Sequence, residues 1–263
     1  MARVGDDELG HWLIDRLARR GIATDLIVPV AGQFTPVSFA WMDGQGAKTF
    51  YFYRFPGFSD PMGTLKSEQI SADEVSSTRI FDFTEAAVRN EPLRSAALRA
   101  ARLAREAGRE VCYAVNYRPS AWLDQTQEQI VAAQREACAA ADIALMNRDE
   151  AKVITGASSP EQAAEEVAGL GPSLVVITAG EDGATVLAEG ETTHVPAREV
   201  EVIYDIGAGD TFHAGLLAGH LAGMPGRAAA RFASDAAALR IGRSAAEPNP
   251  TFEEVANWDG PPS

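Results

Sequence analysis

Apolar positions along this chain recur at two spacings, and the switches between them outline the fold. The first stretch has helical spacing. Leu9, Trp12, Leu13 and Leu17 share a face, Asp6 or Asp7 can cap the helix, and Arg19 and Arg20 precede a stop at Gly21. From Ile27 to Tyr53 the pattern turns to strand. Two runs, 37–41 and 49–53, flank Asp43-Gly44-Gln45-Gly46, which predicts a β-hairpin with the length and aromatic content of a flap. From Arg79 onward strands and helices alternate. Strands are predicted at 79–83, 110–115, 143–146 and 173–178, and helices at 92–108, 126–141, 147–155 and 160–170. The run from Ser173 to Thr178 is apolar nearly throughout, as expected of a strand buried on both faces of a parallel sheet.

Thr185 to Leu187 and Thr193 to Pro196 suggest a short antiparallel excursion. Val200, Val202 and Ile203 then read as one more strand. Phe212, Leu216, Leu217 and Leu221 place a helix after it, and 227–241 adds another. This alternation predicts an α/β fold, a doubly wound sandwich with a small β flap. We expect one domain over 1–263, with 27–58 as a β lid within it.

Composition narrows the partners. With 46% hydrophobic residues the chain can bury a full core, and its formal net charge of -14 argues against nucleic acid or an anionic membrane surface. No uncharged run reaches membrane-spanning length, and the acidic start lacks a signal-peptide core, so a cytoplasmic location is expected. Cys112 and Cys138 have no metal-ligand companion at short spacing and read as buried reduced thiols.

The densest chemistry lies in Ile206-Gly207-Ala208-Gly209-Asp210-Thr211-Phe212. Three residues with little or no side chain at a helix start let backbone N–H groups converge on an oxyanion. Asp210 at the same corner would meet a hydroxyl brought up to that anion, which is the geometry phosphoryl transfer to an alcohol requires. The same residues would also make an ordinary strand-to-helix turn with an acidic cap. Asn147 and Glu150, three apart at a helix start, could present two hard oxygens to Mg²⁺ through water, or form a capping box. Thr178-Ala179-Gly180-Glu181-Asp182-Gly183 suits a loop along a nucleotide, and equally an Asp-Gly turn. Asn116 and Arg118 end a predicted strand, and Arg54 ends the flap. His213 and His220 share a helical stripe without a third ligand nearby in sequence, which favours packing or exposure. Neither a Gly-x-x-x-x-Gly-Lys-Ser/Thr loop nor an early Gly-x-Gly-x-x-Gly is present, which weighs against P-loop and dinucleotide readings.

Taken in order, Asn116-Tyr117-Arg118 with Trp122, Asn147-x-x-Glu150, Gly180-x-x-Gly183 and Gly207-Ala208-Gly209-Asp210-Thr211-Phe212 resemble the ribokinase-like carbohydrate kinases of the PfkB type, from about Val4 to Trp258. The resemblance implies a three-layer sandwich with a mostly parallel central sheet and ATP-dependent phosphorylation of a sugar hydroxyl. Asp210 would act as base and sugar contact, with Gly207, Ala208 and Gly209 as the anion hole. Asn147 and Glu150 would organise Mg²⁺, Thr178, Gly180 and Gly183 would lie along ATP, and Arg54, Asn116 and Arg118 would touch the sugar. Asn116-Tyr117-Arg118-Pro119 and Tyr51-Phe52-Tyr53-Arg54 look most like 2-keto-3-deoxygluconate kinases and bacterial fructokinases.

Three departures qualify the match. Tyr204-Asp205-Ile206 stands where the family usually opens its motif with Asp-Thr, so a monovalent-cation site is not carried over, although Asp205 could partly substitute. Ala114 stands where an Asp often occurs. Val4-Gly5-Asp6 matches a point beyond the family's opening strand, its sugar-binding acid and its Gly-Gly segment, so the domain is expected to be incomplete at its N-terminus. That loss leaves a second reading, a non-catalytic nucleotide- or sugar-binding relative. Expected partners are ATP and a small sugar, and an exposed strand edge or the flap offers a surface for a homodimer.

Overall fold

The computed structural model describes residues 1–42, 48–53, 60–122 and 124–260, and for 42, 48, 50 and 52 only the backbone. Its internal contacts divide into two compact units. One comprises 1–71 and 90–99, the other 72–89 and 100–263.

The smaller unit opens with strand β1 (Ala2–Gly5), helix α1 (Glu8–Ala18) and strand β2 (Ile27–Val30), with β1 and β2 paired in parallel. Asp7 caps α1 by accepting the Gly10 N–H at 2.8 Å, and its other oxygen takes the Thr35 N–H at 2.7 Å. One carboxylate therefore fixes both the helix start and the segment at Thr35 that returns past it. Gly5 has no alternative there, since a Cβ would lie 2.5 Å from the Thr35 nitrogen. Along the apolar stripe of α1, Leu9 and Trp12 are exposed and Leu13 and Leu17 half-buried, and only Gly10 of the helix is buried. Helical periodicity shows which residues share a face, not whether anything covers it.

The hairpin is present as β3 (Val37–Met42) and β4 (Lys48–Tyr53), antiparallel with Phe39 opposite Tyr51. Its predicted turn lies outside the described residues. Phe39, Trp41, Tyr51 and Tyr53 are all exposed.

The larger unit begins with the short helix α2 (Ala72–Ser76) and strand β5 (Ile80–Thr84). Helix α3 (Leu93–Glu106) follows, with the boundary between the units running through it. Next come β6 (Glu110–Ala114), α4 (Gln127–Ala139), β7 (Ile143–Asn147), α5 (Arg148–Thr155), α6 (Pro160–Ala168) and β8 (Leu174–Thr178). The hairpin β9 (Ala184–Ala188) and β10 (Glu191–Val195) then leads to α7 (Ala208–Leu221), α8 (Gly226–Ile241) and α9 (Phe252–Ala256). One six-stranded sheet runs β10-β9-β8-β7-β6-β5. It is parallel from β5 to β8, and antiparallel at β9 and β10.

Strand period and burial agree on both faces. Cys112, Ile143, Leu145, Leu174 and Val176 face Phe212 and Leu216 of α7 and Ala229, Ala230 and Ala233 of α8. Alternate residues point the other way, where the Tyr113 hydroxyl donates to Gln134 of α4, and α5 and α6 pack on β7 and β8. Each of Leu174, Val175, Val176 and Ile177 is buried, stabilising the fold by about 1.5–3 kcal/mol apiece relative to exposure. These residues can only be a central strand, as their unbroken apolar run implied.

One predicted strand is absent. Residues 196–207 contain none, and Val202 and Ile203 are exposed. The N–H groups of Ile203 and Tyr204 both bond the Ile241 carbonyl at the end of α8, so this segment is tied to a helix end instead of a neighbouring strand.

Candidate active site

Strands β6, β7 and β8 run in parallel, so their C-terminal ends emerge on one edge of the sheet, where open α/β sheets place ligands. At the end of β6, Asn116 adopts φ 40, a left-handed backbone unusual outside glycine. Tyr117 then donates its N–H to Glu150 Oε1 at 2.7 Å. Across the sheet Asn147 is the register partner of Thr178.

Asn147 and Glu150 form a reciprocal capping box. Asn147 Oδ1 accepts the Glu150 N–H at 2.9 Å, and Glu150 Oε2 accepts the Asn147 N–H at 2.8 Å. Burial pushes the Glu150 carboxyl above its ordinary range, opposed by the two backbone N–H groups and the Arg118 guanidinium. One buried carboxylate thus joins the Asn116–Arg118 loop to the start of α5. Each of its oxygens accepts one backbone hydrogen bond and keeps further acceptor capacity. That donor set fits a hydrated Mg²⁺ held through water, because a carboxylate and an amide oxygen are hard ligands.

The loop after β8 is built around two unlike glycines. Gly180 (φ 61) faces open space, whereas a Cβ on Gly183 (φ 84) would lie 2.2 Å from the Val195 carbonyl oxygen. The packing of β10 alone therefore requires glycine at 183. Arg148, the first residue of α5, pairs with Asp182 at 3.0 Å and ties this loop to the Asn147 corner.

At the start of α7, Gly207 is the N-cap with φ 86, a conformation that favours glycine. Asp210 is consequently the third residue of the helix, not its cap. The Ala208 N–H is drawn to the Asp205 carbonyl at 3.2 Å. The N–H groups of Gly209 and Asp210 have no acceptor among the described residues, and Gly209 and Asp210 are exposed. The positive end of a helix is thus open beside a free carboxylate. Two cavities meet this turn. A cavity of about 810 Å³ is lined by Thr178, Gly180, Gly183, Asp205, Ala208, Gly209 and Phe212. A smaller one of about 340 Å³ is lined by Gly207, Asp210 and Arg240.

The structure therefore gathers Thr178, Gly180, Gly183, Ala208 and Gly209 around one cavity, and Asn116, Arg118, Asn147 and Glu150 at the neighbouring strand ends. The second group lines neither cavity. Arg54 lies outside the described residues.

Two features escaped sequence reasoning. Arg240, buried near the end of α8, stacks its guanidinium 5.3 Å from the Tyr204 ring centroid, and its Nη1 donates to the carbonyls of Arg243 and Ser244. Trp122, noted only as following Arg118, is buried with its indole N–H on the carboxylate of Glu85, which also pairs with Arg89 at 3.1 Å. The apolar context of Arg240, late in an alanine-rich helix, was the available signal for the first. Glu85 and Trp122 are too far apart in sequence to have been paired.

Comparison with known proteins adds a family. The chain matches the description "pfkB family carbohydrate kinase" over residues 1–251. It is 28% identical over 219 residues to a fructokinase of Vibrio alginolyticus, spanning 82% of this chain and 68% of that one. It is likewise 28% identical over 260 residues to a 5-dehydro-2-deoxygluconokinase of Shouchella clausii, spanning 97% and 78%. Against probable fructokinase-4 of Arabidopsis thaliana it spans 65% of the relative, just under two thirds. In structure it resembles the PfkB protein of Polaromonas sp. JS666 with TM-score 0.84 and 26% identity, covering 97% of this chain and 82% of that one. The fold also matches that of a fructokinase with bound ATP from Xylella fastidiosa, at TM-score 0.82 and 23% identity over 97% and 82% of the two chains.

Proposed function

Because the chain belongs to the pfkB family of carbohydrate kinases, we propose that it transfers the terminal phosphoryl group of ATP to a hydroxyl of a fructose-like ketose or a 2-keto-3-deoxygluconate-like acid. The observation that carries this reading is the open first turn of α7. Among the described residues the N–H groups of Gly209 and Asp210 have no acceptor, Gly209 lines the cavity large enough for a nucleotide, and the exposed Asp210 lines the smaller cavity that meets the same turn. The names of the fructokinase and deoxygluconokinase relatives support the substrate class, and the ATP in the Xylella fastidiosa structure supports the donor.

In this reading ATP lies in the larger cavity, along Thr178, Gly180 and Gly183, with its phosphates directed at the N-terminus of α7. The helix end holds the transferred group as charge spreads over its oxygens. Asp210 accepts the proton of the attacking sugar hydroxyl while the new O–P bond forms and the bond to the leaving ADP oxygen breaks. Asn116 and Arg118 orient the sugar, Arg118 by its fork of donors. Asn147 and Glu150 would hold Mg²⁺ through water. When bound, that ion neutralises phosphate charge.

An ADP-release assay over a panel of fructose, ribose, 2-keto-3-deoxygluconate and 5-dehydro-2-deoxygluconate tests the reading. Turnover with a ketose or keto-sugar acid is expected. Nucleotide binding with no turnover on any sugar would instead identify a non-catalytic relative.

A further inference from the structure

Glu110, Cys112 and Asp82 lie side by side where β5 pairs with β6, with Asp82 the register partner of Cys112. Helix α7 crosses above them. His213 Nε2 lies 3.0 Å from Asp82 Oδ1 and 3.6 Å from Cys112 Sγ, and one donor atom from each of the three residues falls within 4.8 Å of the others. One turn pair further along α7, His220 Nε2 lies 2.9 Å from both oxygens of Glu110, so Glu110 is already engaged.

Asp82 can accept hydrogen bonds from both the Cys112 thiol and His213 Nε2, which draws the three groups together around one point. A metal ion satisfies all three donors together. We propose that Asp82, Cys112 and His213 form a binding site for a single Zn²⁺-class ion, with its fourth position open to water.

Three observations support this. The donor set is one sulfur, one imidazole nitrogen and one carboxylate oxygen, the mixture that borderline-soft divalent ions select over Mg²⁺. The sulfur–nitrogen spacing fits tetrahedral geometry. Bonds of about 2.3 Å to sulfur and about 2.0–2.1 Å to nitrogen put those two atoms about 3.6 Å apart. The separation found is 3.6 Å. The burial is graded from one side to the other. Cys112 is fully buried, whereas the His213 and Asp82 side chains are 16% and 37% exposed, which leaves an entry path and room for water on the Asp82 side. Among the described residues this is the one such cluster.

Binding exchanges the Cys112 S–H bond for a metal–sulfur bond and releases one proton to solvent. The thiolate and the carboxylate together then cancel the charge of the ion, so no net charge is left against the sheet. The ion would clamp α7, whose first turn carries Asp210, onto β5 and β6.

Cobalt(II) titration of the tag-free, chelator-treated chain tests the proposal without sugar or ATP, so the result is independent of the kinase reading. One Co²⁺ per chain is expected, with a thiolate-to-cobalt charge-transfer band that Zn²⁺ abolishes and Mg²⁺ does not. Asp82→Asn and His213→Gln should each weaken Co²⁺ binding at least about 10-fold. Cys112→Ser should remove the band. Should Cys112→Ser fail to fold, Asp82→Asn, at the exposed rim, still decides. A folded wild-type chain that shows no thiolate band overturns the site. So does a band whose affinity is unchanged in both Asp82→Asn and His213→Gln.

Discussion

Gly215 of α7 lies directly against Ala233 of α8, and a Cβ at position 215 would come within 2.9 Å of the Ala233 Cα. One turn on, a Cβ at Gly219 would be 3.2 Å from the Ala229 Cα. The two helices approach so closely because both contact positions lack side chains, and this approach fixes where the first turn of α7 points. Gly215→Val must push α8 aside and should destabilise the protein by about 1–3 kcal/mol, the usual range for overpacking. At roughly 2–4 °C per kcal/mol for a chain of this size, thermal unfolding should read a clear fall in Tm. An unchanged Tm would mean that the helices are not in this contact.

The two glycines after β8 should respond differently. Gly183→Ala combines a left-handed backbone with a clash against the Val195 carbonyl. Gly180→Ala meets open space and should cost about 1 kcal/mol for its backbone alone. Gly183→Ala should cost at least twice as much, about 2 kcal/mol or more. Denaturant midpoints compare the pair, and equal losses would contradict the β10 packing described above.

Burial raises the Glu150 carboxyl above its ordinary 4.5. The folded state therefore holds this proton more tightly than the unfolded state does. The associated stabilisation is complete below the unfolded value and is lost as pH rises through the folded one. Glu150→Gln cannot titrate. Wild type should accordingly lose stability relative to Glu150→Gln between pH 4.5 and neutrality. Urea unfolding of both proteins across that range measures the difference. A difference independent of pH would remove the buried carboxylate from the account.

Arg240 already places a fixed positive charge over Tyr204 and serves the carbonyls of Arg243 and Ser244. We expect kinase activity to be the same in potassium, sodium and tetramethylammonium salts at constant ionic strength. Strong activation by potassium would show that a cation site survives with Tyr204-Asp205-Ile206 in place of the Asp-Thr opening.

Much of this was legible in the chain because the decisive signals were local. The apolar run 174–177 could only be a central strand, and Asn147 with Glu150 could be read at once as a capping box. Gly207, Ala208 and Gly209 could be read as a tight turn into a helix, while the left-handed backbone of Gly207 is seen only in the structure. Val200, Val202 and Ile203 misled for the opposite reason. Their β-branched texture is local, but a strand needs a partner, and the Ile241 carbonyl captures their neighbouring N–H groups instead. The helix α1 and its shared face were legible, but periodicity does not say whether a surface covers Leu9 and Trp12, which are exposed. His213 and His220 read as partnerless because Asp82 and Glu110 stand more than a hundred positions away and meet them only through the topology.

The most direct test of the account is kcat for Asp210→Ala, measured beside its nucleotide affinity. The carboxylate is exposed at the open turn with no partner among the described residues, so the fold and ATP binding should survive. The expected result is a kcat lowered about 10²–10⁴-fold with ATP affinity essentially unchanged. A variant that turns over at close to the wild-type rate would contradict the role given to Asp210, and with it the chemistry assigned to this corner of the molecule.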